Sequence, residues 1–93
     1  MAAPTTQACS AGAWTKVATN VTYGQIGFDL TGPANCYVTW VLSGATAPSD
    51  LSTAHPVPPP NNGTQTVLPI SADEGIDVYV YAIDNATTVI VEV

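Results

Sequence analysis

The chain has 93 residues, seven carboxylates, one lysine (Lys16) and no arginine, giving a formal charge of −6. Nucleic-acid and anionic-membrane binding draw most of their affinity from several Lys or Arg on phosphates. Phosphoryl-transfer chemistry also wants a cation on the transferred group, so this composition excludes those classes. Charged residues make up 9%, against roughly 25% in an ordinary soluble domain. A surface so poor in charge is weakly defended against association. It reads as one largely covered by neighbours, the plainer alternative being a Thr-rich solvated face. A chain this short buries only about 60–65% of its unfolded surface, so a single domain needs a disulfide, a metal or a partner subunit to help it. No run approaches the roughly 18 apolar residues of a membrane span. The first residues lack the basic and apolar regions of a secretory signal, so the expected place of synthesis is a cytoplasm.

In chain order, residues 1–13 are small and polar without periodicity and read as an extended N-terminal arm. Residues 14–93 read as one β domain. Residues 14–21 mix β-branched and aromatic side chains in short alternation. Residues 23–30 follow, with Ile26, Phe28 and Leu30 on one face, and Gly24 and Gly27 marking a bulge or a close backbone approach. Thr31-Gly32-Pro33-Ala34-Asn35 is a turn. Cys36–Leu42 is a central strand with Cys36, Val38, Trp40 and Leu42 facing the core. Residues 43–63 are irregular, with a short strand possible near Leu51 and a stiff polyproline run at 55–60. Residues 64–70 form a strand that Pro69 assigns to an edge, and residues 71–75 read as a turn. Residues 76–83 and 88–93 alternate cleanly and read as a C-terminal hairpin about Asn85-Ala86. In it Ala82 faces Val89, Val80 faces Val91 and Val78 faces Val93. No segment carries a helical repeat. The predicted architecture is all-β: a single small antiparallel β-sandwich, immunoglobulin-like or jelly-roll-like, behind an extended arm.

Residue chemistry points to no catalytic centre. His55 is the sole histidine and a Ser-His-Asp relay would have to use it with Ser49, Asp50 or Ser52, but a histidine before a proline in a loop reads as loop. Asp73, Glu74 and Asp77 cluster near Gly75 without the spacing of a calcium loop and read as solvated turn residues. Cys9 and Cys36 lack the further ligands zinc needs. A bridge between them would stabilise by about 3–4 kcal/mol through loop entropy, yet cytosolic synthesis and the alternation around Cys36 favour a small buried hydrophobe. No catalytic residue, cofactor or metal is therefore predicted. Surface anchors are the better prospects. Tyr79 and Tyr81, with Ile90, form a stripe on the second hairpin face. Pro58 and Pro59 stiffen a loop that can dock on a neighbour. Trp14 can stack on a partner or a sugar ring, whereas Trp40 lies on the core face.

From Trp14 onward the chain resembles the small β-sandwich virion proteins of tailed bacteriophages. The features are a W-T-K-V-A opening, the strand G-P-A-N-C-Y-V-T-W-V-L, a Pro-rich loop, S-A-D-E-G-I-D-V-Y-V-Y-A and a closing T-T-V-I-V-E-V. The resemblance implies a non-enzymatic capsid decoration (cement) protein bound outside a phage head. A neck, tail or fibre component, or a carbohydrate-binding display module, is the alternative. It further implies the major capsid protein or another virion protein as partner, a homo-oligomer (a trimer by analogy), and a place on the virion surface. In that reading the arm, with Thr5, Thr6 and Gln7, grips the shell. Neither nucleic acid nor membrane is an expected partner.

Overall fold

A computed structural model describes residues 3–28, 36–57, 66–83 and 86–93. The predicted turn at 31–35, Leu30, the anchors Pro58 and Pro59, and Asn85 lie outside the described residues. Among the described residues six strands form one antiparallel sheet: β1 (Thr5–Cys9), β2 (Trp14–Phe28), β3 (Cys36–Leu42), β4 (His55–Val57), β5 (Thr66–Ala82) and β6 (Thr87–Glu92). Their order across the sheet is β1-β6-β2-β5-β3-β4. The all-β prediction holds, and the observed form is a curled half-barrel.

The curl comes from β2 and β5, which run beside each other along nearly their whole length but serve different neighbours at each end. Near its C-terminal end β2 sits between β6 (Gln25↔Glu92 to Phe28↔Val89) and the first part of β5 (Gly27↔Val67). The second part of β5 sits between the first part of β2 (Trp14↔Tyr81) and β3 (Cys36↔Ala82 to Leu42↔Ile76). Between these parts the register slips: Val21 pairs with Ile76 but Tyr23 pairs with Ser71. Extra residues on one strand bend and twist a ladder, so the sheet folds over its own concave face. Two glycines permit the bend. Gly24 has φ 145°, and a Cβ there would strike the Glu92 carbonyl; a Cβ on Gly75 would strike the Asn20 side chain. Asn20 itself takes φ 52°, the left-handed conformation that asparagine tolerates best among residues with a side chain.

Inside the curl lie Cys9, Val17, Ala18, Val21, Ile26, Phe28, Cys36, Val38, Val57, Ile70, Val78, Val80, Val89 and Val91. The core face predicted for β3 holds at Cys36 and Val38 but not at Trp40 and Leu42, which are exposed where the core ends, and both thiols are free and buried. At one end the curl is drawn together where the Gly12 N–H donates to the Ala82 carbonyl at 2.8 Å and Ala11 bridges Ala82.

Four expectations are corrected. The C-terminal hairpin does not form: β2 stands between β5 and β6, and Val89 and Val91 pair with Gln7 and Thr5 of β1 instead. Residues 71–75 continue a strand through the irregular bend. The polyproline run begins as strand β4, with Pro56 opposite Tyr37, while Leu51 lies in a turn. Residues 5–9 are no free arm; they are the edge strand of the sheet, and Cys9 is part of the core.

Candidate functional site

Three surfaces gather the side chains that can meet a partner. The first is the mouth of the curl, where β3 and β4 face the first part of β5. Trp40 stands there, on the same face as Cys36 and Val38 but 48% exposed because the core runs out toward the end of β3. The His55 ring lies flat on it, 4.9 Å between centroids with 9° between planes. Apolar recesses flank the indole. One, of about 170 Å³, is lined by Trp40, Leu68, Ile70, Ile76 and Val78. The other, of about 220 Å³, is lined by Val38, Trp40, His55, Val57 and Val67. Leu42, 57% exposed, and Val67 extend this surface. Among the described residues no carboxylate lines either recess.

The second surface is the convex side of β2, β5 and β3. Cross-strand register sets Trp14, Tyr81 and Tyr37 in one row. Trp14 meets Tyr81 edge-on at 5.4 Å, and Tyr37 lies 6.3 Å from Tyr81. All three are half-buried. The Trp14 indole N–H donates to the Asp50 carbonyl at 2.9 Å, so this tryptophan is held by the 43–54 loop and is not a free platform. In the next row Tyr79 is only 6% exposed, with the Lys16 ammonium 5.8 Å from its ring centre. The Thr39 hydroxyl meets the Thr53 hydroxyl at 3.1 Å, so the same loop roofs this part of the sheet. Tyr79 is thus a structural residue, and the predicted stripe with Ile90 is not assembled. Ile90 lies on β6, beside Thr6 of β1 and Gly27 of β2.

The third surface is the outer edge formed by β1, carrying Thr5, Thr6 and Gln7. Register places Thr6 beside Ile90 and Gln7 beside Val89. This juxtaposition was hidden in the sequence because it joins segments more than eighty residues apart.

A buried polar hub braces the bend. The Asp77 side chain, 3% exposed, lies 3.6 Å from the Lys16 ammonium. It accepts the Asn20 N–H at 2.9 Å and the Gly44 N–H at 3.4 Å. The Asn20 hydrogen bond is the main cause that holds its carboxyl below the usual range, and the Ser43 hydroxyl, the Gly44 N–H and Lys16 act in the same direction against burial. Asp77 therefore joins β2, β5 and the 43–54 loop, and is not part of an acidic turn. Among the described residues no group of three or more His, Cys, Asp or Glu side chains gathers to hold a metal.

The loop residues weighed for a nucleophilic relay go separate ways. Asp50 accepts both the Ser52 N–H at 3.0 Å and its hydroxyl at 2.7 Å, while His55 stacks on Trp40. Burial pushes the Cys9 thiol up to about 11, with the neighbouring Cys36 as a second cause, and burial raises Cys36 as well. Thiolate, the reactive form, is therefore disfavoured at both positions. Compared with family models, characterised proteins and solved structures, the chain matches none.

Proposed function

We propose that the chain is a non-enzymatic structural subunit whose apolar mouth is covered by a neighbouring protein, in the form of a capsid decoration protein seated on the outside of a tailed-phage head. The observation that carries the proposal is the mouth itself: Trp40, Leu42 and Val67 stand exposed around recesses that no carboxylate lines among the described residues, on a chain whose one lysine is held by Asp77. Tryptophan seated in a partner's apolar surface is a common energetic anchor. The phage head is the setting favoured by the sequence resemblance, with the major capsid protein as partner. Contacts of this kind are apolar and hydrogen-bonded, so screening weakens them little.

The test is rebinding of purified protein to heads that lack it, followed by sedimentation. Trp40→Ala should weaken capture by about 30-fold or more, the loss of roughly 2 kcal/mol typical of an anchor, without lowering the melting temperature. Capture should persist in high salt. Steep loss with salt, or indifference to Trp40→Ala, would count against the proposal.

A second reading is a display module for host glycan. It is favoured by the exposed Trp40 stacked on His55, since sugar rings pack on such platforms. Glycan-array binding lost on Trp40→Ala, with head binding intact, would select it.

A further inference from the structure

Among the described residues the sheet has several unpaired flanks, and all but one carry a feature that discourages strand addition. Natural edges are blunted by proline, charge, bulges or a covering loop. β4 carries Pro56. The first part of β5, which β3 does not reach, carries Pro69. The first part of β2 is interrupted by register slips and bears Lys16. The end of β3 beyond β4 is only the short stretch 39–42, and a very short edge offers little to pair with. β1 has none of these. Its five residues, Thr5-Thr6-Gln7-Ala8-Cys9, contain no proline, charge or bulge and pair with β6 in unbroken register.

The hydrogen bonds show which groups are free. The Thr5 hydroxyl donates to the Val91 carbonyl at 3.5 Å, so that carbonyl is turned toward β1. The Ala8 carbonyl is met by the Gln7 side-chain amide at 3.1 Å. In an antiparallel ladder the N–H and C=O of one residue point to the same flank, and successive residues alternate. Thr5, Gln7 and Cys9 therefore face β6, while Thr6 and Ala8 present their backbone groups to the open flank.

We infer that this flank pairs with a second copy of the chain, β1 against β1, antiparallel about a twofold axis through Gln7. Thr6 then exchanges backbone hydrogen bonds with Ala8 of the second copy, and Ala8 with its Thr6. The Gln7 amide gives way, and Thr5, Gln7 and Cys9 keep their core face. Two observations select a second copy as the occupant. Residues 3–15 and 86–91 carry no charged side chain, so two chains of charge −6 meet with least repulsion along this edge. The guarded state of the other flanks also blocks head-to-tail addition of β1 onto β4 or β5, which leaves the self-complementary pairing that closes as a dimer. That departs from the trimer implied by analogy. The inference is independent of the phage-head proposal, since it concerns free protein.

A ladder this short buries little area, so association should be weak, with Kd on the order of 0.1 mM. Sedimentation of the free protein from about 10 µM to about 1 mM should show a monomer–dimer equilibrium. Amide exchange at Thr6 and Ala8 should slow as concentration rises, while the amides of Gln7 and Cys9 are protected throughout. Ala8→Pro removes an outward N–H and spares the β6 ladder; it should abolish the dimer and leave the melting temperature near that of the parent. A monomer at the highest concentration, a trimer, a dimer untouched by Ala8→Pro, or Thr6 and Ala8 exchange independent of concentration would each overturn the inference. The exchange measurement uses the unaltered chain and decides the matter even if Ala8→Pro fails to fold.

Discussion

Ile26 is fully buried beneath the curl, flanked by Val91 of β6 and Leu68 of β5. Valine dominates this core, and such β-branched side chains have few rotamers with which to fill a gap. Ile26→Ala should cost about 2–5 kcal/mol and Ile26→Val about 1 kcal/mol, read from urea unfolding midpoints. Asp77 makes a prediction of another kind. Its folded carboxyl titrates below its unfolded value, chiefly because it accepts the Asn20 N–H. The stability it adds is complete above the unfolded pKa of roughly 4 and drains away as pH falls through the folded value. Asp77→Asn should therefore unfold more easily than the parent at neutral pH, and the gap should narrow as the pH is taken below the unfolded value of roughly 4. A gap that stays constant with pH would mean that the charge plays no part.

At the scale of elements, β1 changes the meaning of the first thirteen residues. Were they a free arm, their removal would leave the domain intact. As an edge strand they cover β6 and deliver Cys9 to the core. Deleting residues 2–12 should lower the melting temperature markedly and provoke aggregation along the bared β6, measured by calorimetry and light scattering. The strands most legible in the sequence were those rich in β-branched and aromatic residues: β3 over its full span, both halves of β2, and the second part of β5. Their partners were not legible. An apolar face such as Val78-Val80-Ala82 or Val89-Val91 fits any antiparallel neighbour of matching period, and the short link at 84–87 between the two predicted runs favoured pairing them with each other. The curl decided otherwise: β2 lies between β5 and β6, and the Ala82 end of β5 meets Ala11 and Gly12 just after β1. Ser71 to Gly75 carried true turn chemistry, expressed as a bend within a strand. For the candidate site, Thr5, Thr6 and Gln7 were read as part of a free arm and lie instead on the edge strand β1, whereas Trp40 was assigned to the core by parity alone. Alternation tells which face a residue shares, but not where along a strand the core ends.

For the whole molecule, β2 and β5 are common to both halves of the curl. A break in either half must propagate into a ladder that the other half also needs. Heat should therefore unfold this chain in one step, with calorimetric and van't Hoff enthalpies equal, and with no stretch of β2 or β5 opening ahead of the rest in hydrogen exchange. Two transitions would show that the bend uncouples the halves. A protein with no separable parts has no safe place to be cut. Protease nicks or inserted tags within either long strand should cost the entire fold, so an engineer attaching cargo to this scaffold is left with its ends and loops.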